Sequence, residues 1–388
     1  MKKIQMLTCR VLPAVLVFCC ISLFSACGAA GTELSRRLIV EAIGVDRTDT
    51  GVEVTLQTLD LHAVGQGENG KKTAIFTLTG TSVSDALAKA PAAAGLTPLY
   101  ARTRVLVLGE TAIEKDVSEI LACFLRMPDI RLDIRVCAAE KDAKSLIGAD
   151  LGAAVTDAEV IEDVLAVAGK RGAAPEVLLY RLRDRMLSRE DAAYCPVLGV
   201  TKAVREGETE TVKIAGTAFF SDDGCRYLLP QADAPAFLLL TGQYKKGNLT
   251  VPTDRGDAGL EILSAKTAVF GTESAGTKGI RIRAVLSASL TEAPEALSGK
   301  ELETAAAPAL AGRLRECFDT RGKNRIDVLR IGRRLLFSPQ KYPSPDEIFQ
   351  GACRVAFDIK VKIRSTGTMA LGESGNNKSG MWKYWFIL

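Results

Sequence analysis

The stretch TRVLVLGETAIEKDVSEILACFLRMPD, residues 103–129, sets the expectation for the fold. Val105, Leu106, Val107 and Leu108 form a continuous apolar strand closed by Gly109. Ile113, Val117, Ile120, Leu121, Phe124 and Leu125 then fall at i, i+4, i+7, i+8, i+11 and i+12, which lines one face of a single helix. Pro128 stops it, because its ring blocks a further helical turn.

On the N-terminal side, residues 38–46 (LIVEAIGVD) read as a buried strand. Val52, Val54 and Leu56 alternate with Glu53, Thr55 and Gln57, the period-two pattern of a half-exposed strand. Ala74, Phe76 and Leu78 continue it in a third, and Ser84 is placed to cap a short Ala-rich helix that ends before Gly95. On the C-terminal side Ile134, Val136 and Ala138 alternate as another strand. Thr156 and Glu159 open a helix at capping-box spacing, and a further helix is expected over 176–187.

Beyond Pro196 the pattern turns mostly to strands, at 211–220, 248–251 and 280–290. A helix is expected over 301–318, kinked or split by Pro308. Val355, Phe357, Ile359, Val361 and Ile363 alternate with Ala356, Asp358, Lys360, Lys362 and Arg364, a strand with one core face and one wet face. No internal repeat is visible. Strands and helices mix without a strict βαβ order, which predicts an α+β protein with a strand-rich second half. The expected divisions are 1–26 (lipoprotein signal peptide), 27–200, 201–275, 276–368, and a flexible aromatic tail over 369–388.

The N-terminus has the layout of a secretory signal: Lys2, Lys3 and Arg10, then an apolar run over 11–24, then small Ser25 and Ala26. The run is shorter than the roughly 20 residues that span a bilayer. Cys27 follows at the point of cleavage, and Phe24-Ser25-Ala26-Cys27 resembles a lipobox, with Phe24 where Leu is usual. A thiol there is the nucleophile that receives diacylglycerol. Two or more acyl chains anchor stably where one binds only marginally.

Without residues 1–26 the chain carries 47 basic and 46 acidic residues, so charge gives no basis for a nucleic-acid partner. Of ten cysteines, Cys9, Cys19, Cys20 and Cys27 belong to the signal and anchor. Cys123, Cys137, Cys195, Cys225, Cys317 and Cys353 are scattered, with no C-x-x-C pair, and read as free thiols packed as small apolar groups. His62 is the single histidine, which argues against a His-containing zinc site.

GQGENG, residues 65–70, matches G-x-G-x-x-G but is followed by Lys71-Lys72-Thr73 and a strand pattern, where a dinucleotide site requires a helix. Lys72 also stands where a Walker loop needs Ser or Thr. A solvated hairpin loop is the expectation. A histidine relay would have to use His62, no serine sits in G-x-S-x-G, and no acidic pair is marked out as acid and base. No catalytic, metal or cofactor-binding residue is assigned. Both tryptophans sit in the closing MWKYWFIL, a tail suited to a lipid interface, to a partner, or to docking on its own domain.

Several of these stretches together resemble the Ger(x)C family, the C-subunit lipoproteins of spore germinant receptors. The resemblance runs over about residues 38–367. It is carried by AIGVD (42–46), TRVLVLGETA (103–112) and FLRMPDIRLDIRVCAA (124–139), then by IAGTAFFSDDG (214–224), RIDVLRIGRRLLFSPQKYP (325–343) and FDIKVKIRSTG (357–367). The chain departs from the family in having Gly28-Ala29 where Trp-Asp is usual, Thr103 where His is frequent, and Pro308.

The resemblance implies three mixed α/β domains in a non-enzymatic protein without cofactors, lipid-anchored through Cys27 to the outer face of the inner spore membrane. Its partners would be the integral-membrane A and B subunits of a nutrient-germinant receptor. The alternative is an extracytoplasmic solute-binding lipoprotein, which needs a deep cleft between lobes that the strand-rich half does not suggest. A cell-wall enzyme is disfavoured by the missing constellation.

Overall fold

The computed structural model describes residues 36–60, 73–115, 117–152, 156–187, 193–202, 210–221, 224–274, 276–292, 298–337 and 342–365. Arg37–Thr48 (β1), Gly51–Leu59 (β2) and Thr73–Gly80 (β3) are successive antiparallel neighbours. Val83–Ala88 (α1), Ala90–Ala94 (α2) and the short strand Thr97–Leu99 (β4) follow. Val105–Leu108 (β5) leads to Glu110–Glu114 (α3) and Val117–Arg126 (α4). Arg135–Ala139 (β6) leads to Ala143–Gly148 (α5), Asp157–Arg171 (α6) and Leu179–Leu187 (α7). Ala193–Lys202 (β7), Glu210–Ser221 (β8) and Gly224–Pro230 (β9) complete a sheet ordered β3-β2-β1-β5-β6-β7-β8-β9, with β4 beside β1.

At the centre of this sheet β1, β5, β6 and β7 run parallel, and antiparallel pairs flank them. A parallel strand needs both faces covered, which is why β5 is apolar at every position. Leu106 and Leu108 pack with Ile113, Ile120, Leu121 and Phe124 on one face. Val105 and Val107 pack with Ala143, Ile147, Ile161 and Leu165 on the other.

The chain then forms Ala234–Leu240 (α8), whose Phe237, Leu238, Leu239 and Leu240 are all buried. Gly247–Thr253 (β10), Gly256–Ser274 (β11) and Thr277–Glu292 (β12) make an antiparallel meander. Gly299–Lys323 (α9), Ile331–Phe337 (α10) and Pro345–Phe349 (α11) then carry the chain to Arg354–Ser365 (β13), which adds parallel to β12. Leu302, Ala306, Leu310, Leu314 and Cys317 form the buried stripe of α9. On β12, Ile280, Ile282, Ala284, Leu286 and Ala288 are buried while Arg281, Arg283 and Val285 are exposed, so this sheet is covered on one side. A continuous apolar core links the two sheets through α8. The architecture is α+β.

Several local expectations are corrected. The single helix after β5 is two, because Lys115 is extended (φ −156°, ψ 142°) and redirects the chain between α3 and α4. Ser82, not Ser84, caps α1, its side chain accepting from the Asp85 amide. The helix expected from residue 176 begins at Leu179. Before it, the Val177 carbonyl accepts from the Val136 amide at 2.9 Å, which pairs that backbone antiparallel beside the start of β6. β2 is not half-exposed: Thr55, Gln57 and Thr58 are buried along with its apolar residues. Pro308 does not split α9, which is continuous across it.

The boundary expected at 200/201 falls inside β7, where Val200 and Thr201 are both paired with β8, and that at 275/276 falls between β11 and β12. The sheets themselves divide the chain between Pro230 and Gly247. Among the described residues no helix is long and apolar enough to cross a membrane. Cys27, the signal segment, the 65–70 loop with His62, and the aromatic tail lie outside the described residues.

Candidate functional site

The first three stretches that carry the family resemblance, 42–46, 103–112 and 124–139, supply residues at the two ends of the parallel strands. In AIGVD, Gly44 lets α5 lie close on the sheet, since a Cβ there would press on Ile147 and Ala143. Asp46, buried at the end of β1, accepts from the amides of Ala143 (Oδ1, 2.8 Å) and Lys144 (Oδ2, 3.2 Å), which begin α5. Burial pushes its carboxyl above the usual carboxylate range. The two amides oppose that rise, and the neighbouring charges of Asp142 and Glu53 add to it.

At the opposite end of the strands, Arg104 donates from Nε to the fully buried Glu41 (2.7 Å) and from Nη1 to Glu162 (2.8 Å). Glu162 also accepts from Arg135 Nη1 at 2.6 Å, and Arg135 reaches Glu176 at 3.4 Å. Burial alone would lower the Arg104 pKa, but the bonds to Glu162 and Glu41 reverse that and hold it above its ordinary value. A buried carboxylate is tolerable only with such a partner. In RIDVLRIG, Asp327 Oδ2 accepts from the Gly332 amide at 2.8 Å, which secures the start of α10. These residues build the scaffold.

Gln57 is a further buried polar anchor. Its Nε2 donates to the Ile147 carbonyl at 3.0 Å and its Oε1 accepts from the Ala158 amide at 2.8 Å, tying β2 to α5 and α6.

The six cysteines outside the signal are free thiols. Cys137, Cys195 and Cys317 are buried, Cys123 and Cys353 are half-buried, and Cys225 is exposed. Burial raises the thiol pKa of Cys137 and Cys195, which leaves them protonated and unreactive. Among the described residues no group of three or more His, Cys, Asp or Glu is arranged to hold a metal.

One feature with the character of a binding site is a cavity of about 340 Å³ between α7, the β7/β8 pair and α8 on one side and residues 327–334 on the other. Arg181, Arg185, Arg330 and Arg334 line it, against only Asp184 and Asp327. Tyr194, Phe219 and Leu240 supply apolar wall. Arg185 stacks on the Tyr194 ring, its Cζ 3.6 Å from the centroid, and the Tyr194 hydroxyl accepts from Gln243. Sequence reading missed these residues. Arg181 and Arg185 stand four apart in RLRDR, a spacing that alone reads as a solvated helix face.

No curated protein matches the chain by sequence. The fold is similar to that in the crystal structure of the GerBC protein, with TM-score 0.54 and 16% identity over 83% of this chain and 96% of that one. Residues 31–200 match the model of the spore germination protein N-terminal domain. Residues 215–367 match the model of the spore germination B3/GerAC-like C-terminal region. With both halves matched in this order, the chain belongs to the Ger(x)C family of spore germination proteins.

Proposed function

We propose that this protein is the lipid-anchored C subunit of a nutrient-germinant receptor. The reading is carried by the two family matches, 31–200 and then 215–367, together with the signal-like segment 1–26 that precedes Cys27. Cys27 receives diacylglycerol, and the acylated N-terminus holds the protein on the outer face of the inner spore membrane beside integral-membrane A and B subunits. Two or more acyl chains suffice for a stable anchor. Confinement to a thin layer raises the effective concentration of the protein near its partners, so weak contacts suffice for assembly. No catalytic step is assigned to it.

Spores carrying Cys27→Ala, compared with wild type, test the anchor. Loss of the protein from the membrane fraction together with loss of nutrient-triggered germination is expected. Full germination with a soluble variant would defeat the tethering mechanism. Affinity purification of the wild-type protein from spore membranes is expected to bring down polytopic membrane proteins, and recovery of the protein alone would defeat the assembly.

A further inference from the structure

Four guanidiniums around one cavity, with two carboxylates to balance them, leave an excess of positive charge facing a space of about 340 Å³. Like charges repel unless an anion or solvent separates them, so a folded protein that gathers arginines in this way has a use for the field. The carboxylates are engaged elsewhere as well. Asp184 pairs with Arg333 at 3.1 Å and lies 3.8 Å from Arg330, while Asp327 holds the Gly332 amide. Arg334 spends Nε on the Leu329 carbonyl at 3.0 Å, and Arg181 spends Nε on the Tyr180 hydroxyl at 2.9 Å.

Arg185 is the exception. Its plane is fixed against Tyr194, yet its Nη1 is buried with no hydrogen-bond partner among the described residues. A buried charged donor left unmade is costly, and a guanidinium fork fits an oxyanion in two parallel bonds. The backbone adds a second observation. Arg330 holds φ 56°, a left-handed conformation that a non-glycine residue adopts at a cost, and it does so on the cavity wall.

We propose that this cavity binds a small organic oxyanion. Arg185 and its neighbouring arginines take the charged head, and Tyr194, Phe219 and Leu240 take the carbon part. The walls come from both halves of the chain, α7, β7, β8 and α8 on one side and residues 327–334 on the other. A bound anion therefore bridges them and stabilises their junction. The site is independent of the lipid anchor.

The test is titration calorimetry and thermal melting of the full chain in detergent. The probes are inorganic phosphate, succinate and phenylacetate, with chloride at equal ionic strength as the control. Saturable binding and a rise in Tm are expected, with phenylacetate or succinate tighter than phosphate. Arg185→Gln should weaken that binding about tenfold or more, the worth of a charged hydrogen bond. Arg183→Gln, an exposed residue of α7 outside the cavity lining, should leave it unchanged. If Arg185→Gln fails to fold by circular dichroism, Arg334→Gln serves in its place with the same expectation. Absence of saturable binding by any probe, phosphate binding as tightly as the carboxylates, or a wild-type Kd in the folded cavity variant would overturn the proposal. Loss of membrane retention in Cys27→Ala would not touch it.

Discussion

The carboxylate of Asp46 occupies the space that a side chain at Gly109 would need. These two residues lie on the adjacent parallel strands' ends, where Gly109 also donates its amide to the Val45 carbonyl at 2.8 Å. The close approach lets Asp46 reach past β5 to the amides of α5. Gly109→Ala must therefore displace a buried, hydrogen-bonded group, and overpacking of this kind costs about 1–3 kcal/mol. Urea denaturation should show a midpoint lowered to match, with the slope unchanged.

Asp46 also gives a pH dependence. Its folded-state pKa is raised by burial above the usual 3.8, so the folded protein binds the proton more tightly than the unfolded chain does. The stability it contributes is fully present below pH 3.8 and is lost as pH rises through the elevated value. Wild type compared with Asp46→Asn should thus lose relative stability across that rise and run parallel above it. A difference that is flat with pH, or of opposite slope, would refute the assignment.

Removing Arg104 strands Glu41. Glu41 is 1% exposed, and breaking a buried pair by deleting one partner costs about 3–5 kcal/mol. Arg104→Met should fall near the low end, since Arg104 keeps some solvent contact and Arg102 lies 3.9 Å from Glu41. The double variant Arg104→Met/Glu41→Gln should recover part of the loss, because the uncompensated charge is gone. A double variant no more stable than the single one would show that packing, not charge, is at stake.

Pro308 sits on the exposed side of α9 and removes an amide that would donate to the Thr304 carbonyl. Relative to Ala, an interior proline costs a helix about 3 kcal/mol, offset by up to about 1 kcal/mol from a stiffer unfolded chain. Pro308→Ala should raise stability by about 2 kcal/mol, read as a higher denaturation midpoint.

The sequence made the apolar runs and long periodic strands readable because burial writes them directly: β5 in its four consecutive aliphatics, β13 in its alternation. The 19-residue β11 was missed because its register shifts between Gly259 and Leu260 and again between Ile262 and Ser264, which breaks the alternation that would announce it. The break at Lys115 and the burial of Gln57 depend on elements far away in the chain and leave no local trace. The arginine cavity was unreadable for the same reason. Arg185 and Arg330 are 145 positions apart, and only the packing of α7 beside residues 327–334 brings them to one wall.

β1 lies inside the first sheet, hydrogen-bonded to β2 on one side and β5 on the other. Any pull on the N-terminal end of the chain thus enters through an interior strand and is borne in shear by two ladders together. A strand paired on one side only would meet the same pull with a single ladder.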